Sequence, residues 1–214
     1  NERPDTFAPV SGLSDVKEIA IAARTNAALK HDGSIWTWGD NPSGELGNNS
    51  PSFEDDPPVQ YYVTLPVRVS LTAKAIAVAG SFMTFAAVTE NGSLYAWGNV
   101  GSGCGRTESH SKVPINLNVP ASIVDVTAAP GAITALDSNG RVWQWNPFET
   151  CASELVNGLS NVVSISGNVA LTNDGSVWEA TFDAATTFPT GFQPKGLTDV
   201  RVISGDSHHV ALKN

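Results

Sequence analysis

The sequence predicts an all-β protein built from repeated units, because two short motifs recur along its 214 residues. The first motif places Asp-Gly or Asn-Gly three residues before an aromatic side chain. Its copies read DGSIWTW (32–38), NGSLYAW (91–97), NGRVWQW (139–145) and DGSVWEA (174–180). Copies of the second motif read GLSDVKEI (12–19), GLSNVVSI (158–165) and GLTDVRVI (196–203). Fixed offsets in every copy indicate a structural repeat.

Each copy of the first motif predicts a β-hairpin. Asp-Gly and Asn-Gly between apolar runs favour a type I′ turn, which needs positive φ at both central residues. Successive strand side chains point to opposite faces, so Trp36 and Trp38 share one face and Ile35 takes the other. Both faces of such a sheet are therefore expected to be buried. The predicted turn glycines are Gly33, Gly92, Gly140 and Gly175.

The spacing of the repeats predicts the blades of a β-propeller. Successive turn glycines are 59, 48 and 35 residues apart, and no helical period runs between them. Blades of a few short strands must stack on one another to bury both faces. We expect a single repeat domain over 1–214, with four repeats and the start of a fifth, as a partial or unusually small propeller. The approximate units are 8–49, 66–106, 113–151, 154–182 and 192–214, with an insertion at 50–65.

The aromatic residues of the repeat are predicted to form the core between blades. A surface that stacks on sugars or bases is the alternative, but a fixed strand position in every unit favours the core. The residues are Trp36, Trp38, Tyr95, Trp97, Trp143, Trp145 and Trp178.

The first unit resembles a repeat of the regulator-of-chromosome-condensation family, through its run DGSIWTWGDNPSGELG (32–47). The matching loop residues are Gly39, Asn41, Gly44, Leu46 and Gly47. The second unit keeps WGN (97–99) and Gly103, whereas the third and fourth keep less. The resemblance implies a propeller scaffold, seven-bladed in the family, and a structural hydrogen-bonding role for His208. Family activities include nucleotide exchange on a small GTPase and enzyme inhibition, but these activities lie in loops.

Composition argues against nucleic acid and anionic membranes as partners. The chain has 12 Lys and Arg against 21 Asp and Glu, for a net charge of −9. Phosphate binding needs clustered cations, which this sequence lacks. Charged residues make up only 15% of the chain, a composition common in exported bacterial proteins. No apolar run approaches the ~18 residues of a membrane span.

The two cysteines occupy nearly equivalent loops of successive units. Cys104 lies seven residues after Trp97, and Cys151 lies six after Trp145. We predict a disulfide between them, which would suit an oxidising compartment. Two unpaired thiols in a cytosolic protein are the alternative, and thiol titration of the denatured, unreduced chain distinguishes the two.

The insertion carries the candidate partner-binding residues. The three adjacent carboxylates lack the alternating spacing of a calcium-binding loop. Two interpretations of the insertion remain, an inert solvated loop and a loop that contacts another protein. Aromatic anchors beside the acidic residues favour the protein contact. The residues are Phe53, Glu54, Asp55, Asp56, Tyr61 and Tyr62.

We predict no catalytic residues, metal or cofactor. Adjacent histidines on a strand, His208 and His209, point to opposite faces and do not readily share an ion. The sequence contains neither a nucleophile-elbow serine motif nor a phosphate loop.

The hypothesis that follows is a non-catalytic protein-recognition scaffold, part of a secreted or cell-surface, adhesin-like protein. A cytoplasmic location is the alternative. Two other functions stay open, a lectin-like module with pockets between blades and a regulator of another enzyme. The fifth unit supplies Leu212 but ends before its turn glycine, so we expect the edge at 210–214 to be covered by another chain, by a further segment or by an unusual five-bladed closure.

Overall fold

The repeated motifs fold into antiparallel β-sheets in the computed structural model, which describes residues 8–52, 62–101, 108–129, 132–145, 153–182, 189–205 and 209–213. All regular structure within these ranges is β-strand. The predicted all-β class is therefore confirmed. The described ranges contain no helix that is long and apolar enough to cross a membrane.

Five sheets follow one another along the chain, and neighbouring strands pair in sequence order. Sheet 1 contains β1 (Val16–Ala22), β2 (Thr25–Lys30), β3 (Ile35–Asp40) and β4 (Tyr62–Arg68). Sheet 2 contains β5 (Ala75–Ser81), β6 (Thr84–Thr89), β7 (Leu94–Asn99) and β8 (His110–Asn116). Sheet 3 contains β9 (Ile123–Ala129), β10 (Ala132–Asp137), β11 (Val142–Trp145) and β12 (Glu154–Leu155). Sheet 4 contains β13 (Val162–Ser166), β14 (Val169–Thr172), β15 (Val177–Phe182) and β16 (Pro189–Pro194), and sheet 5 contains β17 (Val200–Gly205) and β18 (His209–Lys213).

The outer strand of sheet 1 lies partly where the sequence predicted an insertion. Residues 62–65 of the predicted insertion 50–65 belong to β4, in which Tyr62 pairs with Asp40. Pro66 obscured this strand in the sequence, because proline cannot donate a ladder hydrogen bond. It is tolerated here because β4 is the last strand of its sheet.

The turns at the repeat glycines differ from the predicted type I′ form. Gly33 has a φ of 82°, but Asp32, the residue before it, does not have a positive φ. The Gly33 N–H donates to the Lys30 carbonyl over 3.0 Å, and Asp32 Oδ1 accepts from the Ser34 N–H over 2.9 Å. The turn is thus a type I turn followed by a left-handed glycine. Aspartate is favoured because its carboxylate binds the backbone two residues on.

Tighter two-residue turns join the first two strands of sheets 1, 2 and 4. Their first residues have positive φ: Ala23 at 51°, Phe82 at 51° and Gly167 at 53°. Positive φ at the first position alone is typical of a type II′ turn, where glycine is preferred. Ala23 and Phe82 therefore hold a conformation that strains their side chains, and the sequence lacked the usual turn residues there.

The sheets stack face to face, with a separate apolar core at each interface. Leu29 and Ile35 of sheet 1 pack with Phe85 and Trp97 of sheet 2. At the next interfaces one core contains Leu94 and Ile133, another Val142 and Ile165, and a third Leu171 and Ile203. This order positions the sheets as successive propeller elements. In the described part of the last sheet, β18 pairs with β17 alone, and Val210 and Leu212 are exposed; what covers this edge stays a prediction.

Candidate functional site

The repeat aromatics differ in burial. Trp97 and Trp145 are buried, at 0% and 3% exposed. Trp97 stacks on Phe85 with ring centroids 5.6 Å apart. The other aromatics are half-buried: Trp36, Trp38, Tyr95, Trp143 and Trp178. Trp36 and Trp38 face away from sheet 2. Ile35 lies on the opposite face of β3 and packs into the core between sheets 1 and 2.

The glycine after the repeat tryptophan allows a close backbone contact. A Cβ at Gly39 would overlap the carbonyl oxygen of Arg24, and one at Gly98 would overlap that of Met83. The following residues donate to the same carbonyls, with Asn99 N–H at 2.8 Å from Met83 O. These contacts bring the end of the third strand against the two-residue turn of the same sheet.

The loop after β3 lies between sheets 1 and 2. Thr37 Oγ1 donates to the Leu46 carbonyl over 2.8 Å, and Trp97 Nε1 donates to the Glu45 carbonyl over 2.9 Å. Asn41 Oδ1 accepts from the Leu46 N–H over 2.9 Å. At Gly47 a Cβ would come 2.8 Å from the Trp97 ring. The loop residues that carried the family resemblance thus hold the first two sheets together.

Glu45 is a buried carboxyl within this loop, at 1% exposed. Its Oε2 accepts from the Ser43 N–H over 2.7 Å. Burial raises the pKa of Glu45 to about 7, and the nearby charge of Asp40 acts in the same direction. The carboxyl therefore changes charge near neutral pH.

These turns and the loop form one surface at an end of sheets 1 and 2. We call it the turn surface and define it by Arg24, Ser43, Tyr62, Phe82 and Met83. Arg24 Nη1 lies 3.8 Å from Asp40 Oδ2, and Tyr62 pairs with Asp40 across the strands. Ser43 Oγ contacts Met83 Sδ at 3.6 Å, which joins the loop to the second turn.

Phe82 is the most unusual residue of the turn surface. Its side chain is 58% exposed, although large apolar side chains usually gain from burial. Its backbone also holds the strained positive φ described above. Exposed aromatic side chains on strained turns are typical of binding sites, because the strain persists only where the surrounding structure fixes it.

A second candidate is an acidic cleft along the first strands of sheets 1 to 4. Its volume is about 360 Å³, and Glu18 and Asp125 line it. Burial raises the pKa of both carboxyls, and the charge of Asp125 raises the pKa of Glu18 further. Lys17 Nζ donates to the Ile76 carbonyl over 2.6 Å. Within the described ranges no group of three or more metal-ligating side chains occurs. Glu18 and Asp125 make the wall of the cleft weakly acidic.

Most of the predicted partner-binding residues lie outside the described residues. They are Phe53, Glu54, Asp55, Asp56 and Tyr61. Tyr62, at 49% exposed, begins β4 on the turn surface. The insertion therefore returns to the sheet at this surface. Cys104, Cys151 and His208 also lie outside the described residues, and their disulfide and hydrogen-bonding roles stay predictions.

Sequence reasoning missed Phe82, Arg24 and Glu45 as site residues. Glu45 was visible as part of the GELG run, but its burial depends on sheet 2. Phe82-Met83 carries no turn signature, since neither residue favours positive φ. One weak indication was available in the sequence: the second repeat has Phe82-Met83 at the positions where the first repeat has Ala23-Arg24.

Comparison with known sequences matches part of the chain to a repeat family. The family model "Regulator of chromosome condensation (RCC1) repeat" matches residues 32–87. The chain is 30% identical over 152 residues to "RCC1 domain-containing protein RUG3, mitochondrial" of Arabidopsis thaliana, covering 64% of this chain and 32% of that protein. It is 38% identical over 88 residues to "Rho GTPase-activating protein gacGG" of Dictyostelium discoideum, covering 41% of this chain and 7% of that protein.

Solved structures share the fold. The human WBSCR16 structure superposes with a TM-score of 0.76 at 17% identity, covering 93% of this chain and 58% of that one. Yeast RCC1 (Prp20) bound to Kap60 superposes with a TM-score of 0.70 at 21% identity, covering 92% and 53%. At these identities the likeness establishes the fold alone. The chain thus spans about a third or less of these curated relatives and little more than half of the solved chains.

Proposed function

We propose that this chain, which matches the RCC1 repeat over residues 32–87 and has a β-propeller scaffold, is a non-catalytic protein-recognition module that regulates the protein it binds. The observation that carries the proposal is the turn surface. There Phe82 is exposed on a strained turn, and Gly98 holds that turn against the end of β7. A rigid, exposed aromatic group is an effective anchor because little entropy is lost on binding.

Regulation of another protein has better support than an adhesive role. One relative is named as a Rho GTPase-activating protein, and a structural neighbour is solved with Kap60 bound. Relatives and neighbours with these names do not support the secreted or cell-surface setting, and the first relative is named as mitochondrial. We therefore favour a location inside the cell, the cytoplasmic alternative, over the extracellular one.

A photocrosslinking amino acid at Phe82 tests the proposal directly. We expect one protein to be captured reproducibly, and its purified form to bind the wild-type chain. Phe82→Ser should weaken that binding at least about tenfold, in the range of an interface hot spot. Phe182, an aromatic side chain on sheet 4 that is 46% exposed, provides the control, and Phe182→Ser should leave the affinity unchanged. Equal effects of the two substitutions would remove the basis for the proposal.

Nucleotide exchange on a small GTPase is the more specific candidate. A panel of purified GTPases loaded with fluorescent nucleotide tests it, and accelerated release should require Phe82. Release at the uncatalysed rate throughout the panel would reject exchange and leave simple recognition. The lectin-like alternative stays a prediction, for which binding on a glycan array is the measurement.

A further inference from the structure

Three Asn-Gly pairs occur in the chain, and the structure places them in two kinds of turn. The pairs are Asn91-Gly92, Asn139-Gly140 and Asn157-Gly158. Asparagine is a thermolabile residue, and it is most reactive before glycine, because a residue without a Cβ hinders attack of its nitrogen on the asparagine side chain least. In a folded protein the reaction depends on how firmly the two groups are held.

The first two pairs are held in the hairpin turns of the repeat. The Gly92 N–H donates to the Thr89 carbonyl over 2.8 Å, and the Gly140 N–H donates to the Asp137 carbonyl over 3.0 Å. Asn91 Oδ1 also accepts from the Thr89 hydroxyl over 2.6 Å. The attacking nitrogen of each pair is therefore engaged in a hydrogen bond of its own turn.

The third pair lies in the segment that connects β12 to β13. Gly158 has a φ of 79°, whereas Asn157 does not have a positive φ, and this order of signs is the pattern of a type II turn. Both residues are exposed, and a Cβ added at Gly158 would have nothing within 4 Å. Among the described residues no carbonyl accepts from the Gly158 N–H. The attacking nitrogen of this pair is therefore not engaged.

The same turn recurs before two other sheets. Ser11-Gly12 and Lys195-Gly196 have glycine φ values of 78° and 69°, and a Cβ added at either glycine would also have nothing within 4 Å. The Leu13 N–H donates to the Val10 carbonyl across the first of them over 3.3 Å. Of these three turns, only the one before sheet 4 has asparagine in front of its glycine.

The residues on either side of the pair are anchored. Val156 and Leu159 are buried in the core between sheets 3 and 4. Rotation of the peptide unit between Asn157 and Gly158 interconverts type II and type I turns while the flanking residues stay in place. The same rotation changes how the Gly158 nitrogen faces the Asn157 carboxamide carbon. The two groups can therefore meet without unpacking of the core.

We propose that Asn157-Gly158 is a site of spontaneous deamidation in the folded protein, and that its isoaspartate product loosens the connection between sheets 3 and 4. The Gly158 nitrogen loses its proton to hydroxide and attacks Asn157 Cγ. The new C–N bond closes a succinimide ring, the Cγ–Nδ2 bond breaks, and ammonia leaves with a proton from water, which regenerates the hydroxide.

Water then opens the ring at one of its two carbonyl carbons. Attack at Cγ gives aspartate, whereas attack at the main-chain carbonyl carbon gives isoaspartate, in which the chain continues through the side chain. Overall one water is consumed, one ammonia is released, and the ammonia takes up the proton of the new carboxyl group. Isoaspartate adds one main-chain carbon between Val156 and Leu159, so these two core residues can no longer both keep their positions.

The test compares the three pairs within one folded chain. Whole chain is incubated in mildly alkaline ¹⁸O-water, and ¹⁸O in each new carboxyl group is located by peptide mass spectrometry. We expect label at Asn157 to appear at least about tenfold faster than at Asn91 and Asn139, because those pairs must first break hydrogen bonds. In urea-unfolded chain the three rates should converge, since all three are Asn-Gly pairs.

Two variants separate the site from its consequence. Asn157→Ser, which gives the turn the residue found at Ser11, should abolish the label at this position and leave the urea midpoint unchanged. Asn157→Asp adds the charge without the extra main-chain carbon, so the isolated isoaspartyl form should unfold at lower urea than this variant.

Two results would overturn the proposal. Label that appears at all three pairs of the folded chain at the same rate would show that the turns do not decide the reaction, and label confined to the unfolded chain would show that the turn at Asn157 is closed to it. An isoaspartyl form as stable as the Asn157→Asp variant would overturn the loosening of the connection.

Discussion

The interface between sheets 1 and 2 and that between sheets 3 and 4 are built from the same repeat but filled differently. In the first, the loop of residues 41–52 enters between the sheets and its carbonyls meet Thr37 and Trp97. In the second, Ala180 stands at the tryptophan position and Gln144 Nε2 has no partner, whereas the loop that follows β11, residues 146–152, lies outside the described residues. The comparison teaches that the repeat keeps its hairpins while the side chains at equivalent interface positions change, because hairpins depend on local turns and interface positions on the sheet that lies opposite.

The largest effect is expected at the filled interface. Trp97→Ala should lower the free energy of unfolding by about 3–5 kcal/mol, because it empties a fully buried site. Trp36→Ala is the matched control and should cost clearly less, since Trp36 is only half-buried. Urea melts of both variants measure the difference, and equal losses would mean that Trp97 is no better enclosed than Trp36.

The close contact after the tryptophan should be nearly as sensitive. Gly39→Ala is expected to cost about 2–3 kcal/mol, since the left-handed conformation alone costs roughly 1–2 kcal/mol for an L-residue and the new Cβ would overlap the Arg24 carbonyl. Gly158 also has positive φ, but a Cβ added there would have nothing within 4 Å. Gly158→Ala should therefore lower the free energy of unfolding only by the cost of the left-handed conformation. Thermal or urea unfolding that ranks the two variants in reverse would contradict this.

The buried carboxyl of the filled interface predicts a pH dependence. The pKa of Glu45 is raised by burial to about 7 from the ordinary 4.5, so the folded state holds its proton more tightly than the unfolded state. Its contribution to stability is fully present below pH 4.5 and is lost as the pH rises through about 7. We expect a loss of about 2–3 kcal/mol over this interval. Glu45→Gln should remove that slope in urea melts from pH 4 to 8; an unchanged slope would assign it to other groups.

A pair of substitutions compares the two interfaces at the same repeat position. Thr37→Val should lower stability by about 1 kcal/mol, because it leaves the buried Leu46 carbonyl without its donor. Gln144→Leu should raise stability by about 1 kcal/mol in the free protein, because it removes an unsatisfied donor. Urea melts of both variants provide the measurement. The same sign for both would show that the amide already has a partner.

The smallest expected effect concerns the strained turn. Phe82→Gly should raise the free energy of unfolding by roughly 0.5 kcal/mol, because glycine adopts positive φ without steric cost while an exposed side chain is lost. Ala23→Gly is the control at the equivalent turn and should stabilise similarly. Only Phe82→Gly should weaken partner binding, so stability and affinity measured together separate strain from function.

The sequence predicted the hairpins well and their surroundings poorly. The turn glycines, the strand after each of them and the all-β class followed from local patterns. The type I turn with a left-handed glycine was mistaken for type I′, since Asp-Gly is compatible with both. The outer strand β4 was hidden by Pro66 and by its distance from β3, because pairing across a long loop leaves no local signal.

The sequence by itself determined that the chain forms repeated antiparallel hairpins, because strand alternation and turn chemistry act between residues a few positions apart. Only the tertiary structure decided that Trp97 is enclosed while Trp36 is half-buried, that Glu45 titrates near neutrality and that Gln144 lacks a partner. Equivalent repeat positions are alike in sequence, but burial and hydrogen bonding depend on which sheet or loop lies opposite, and that neighbour is distant in the chain.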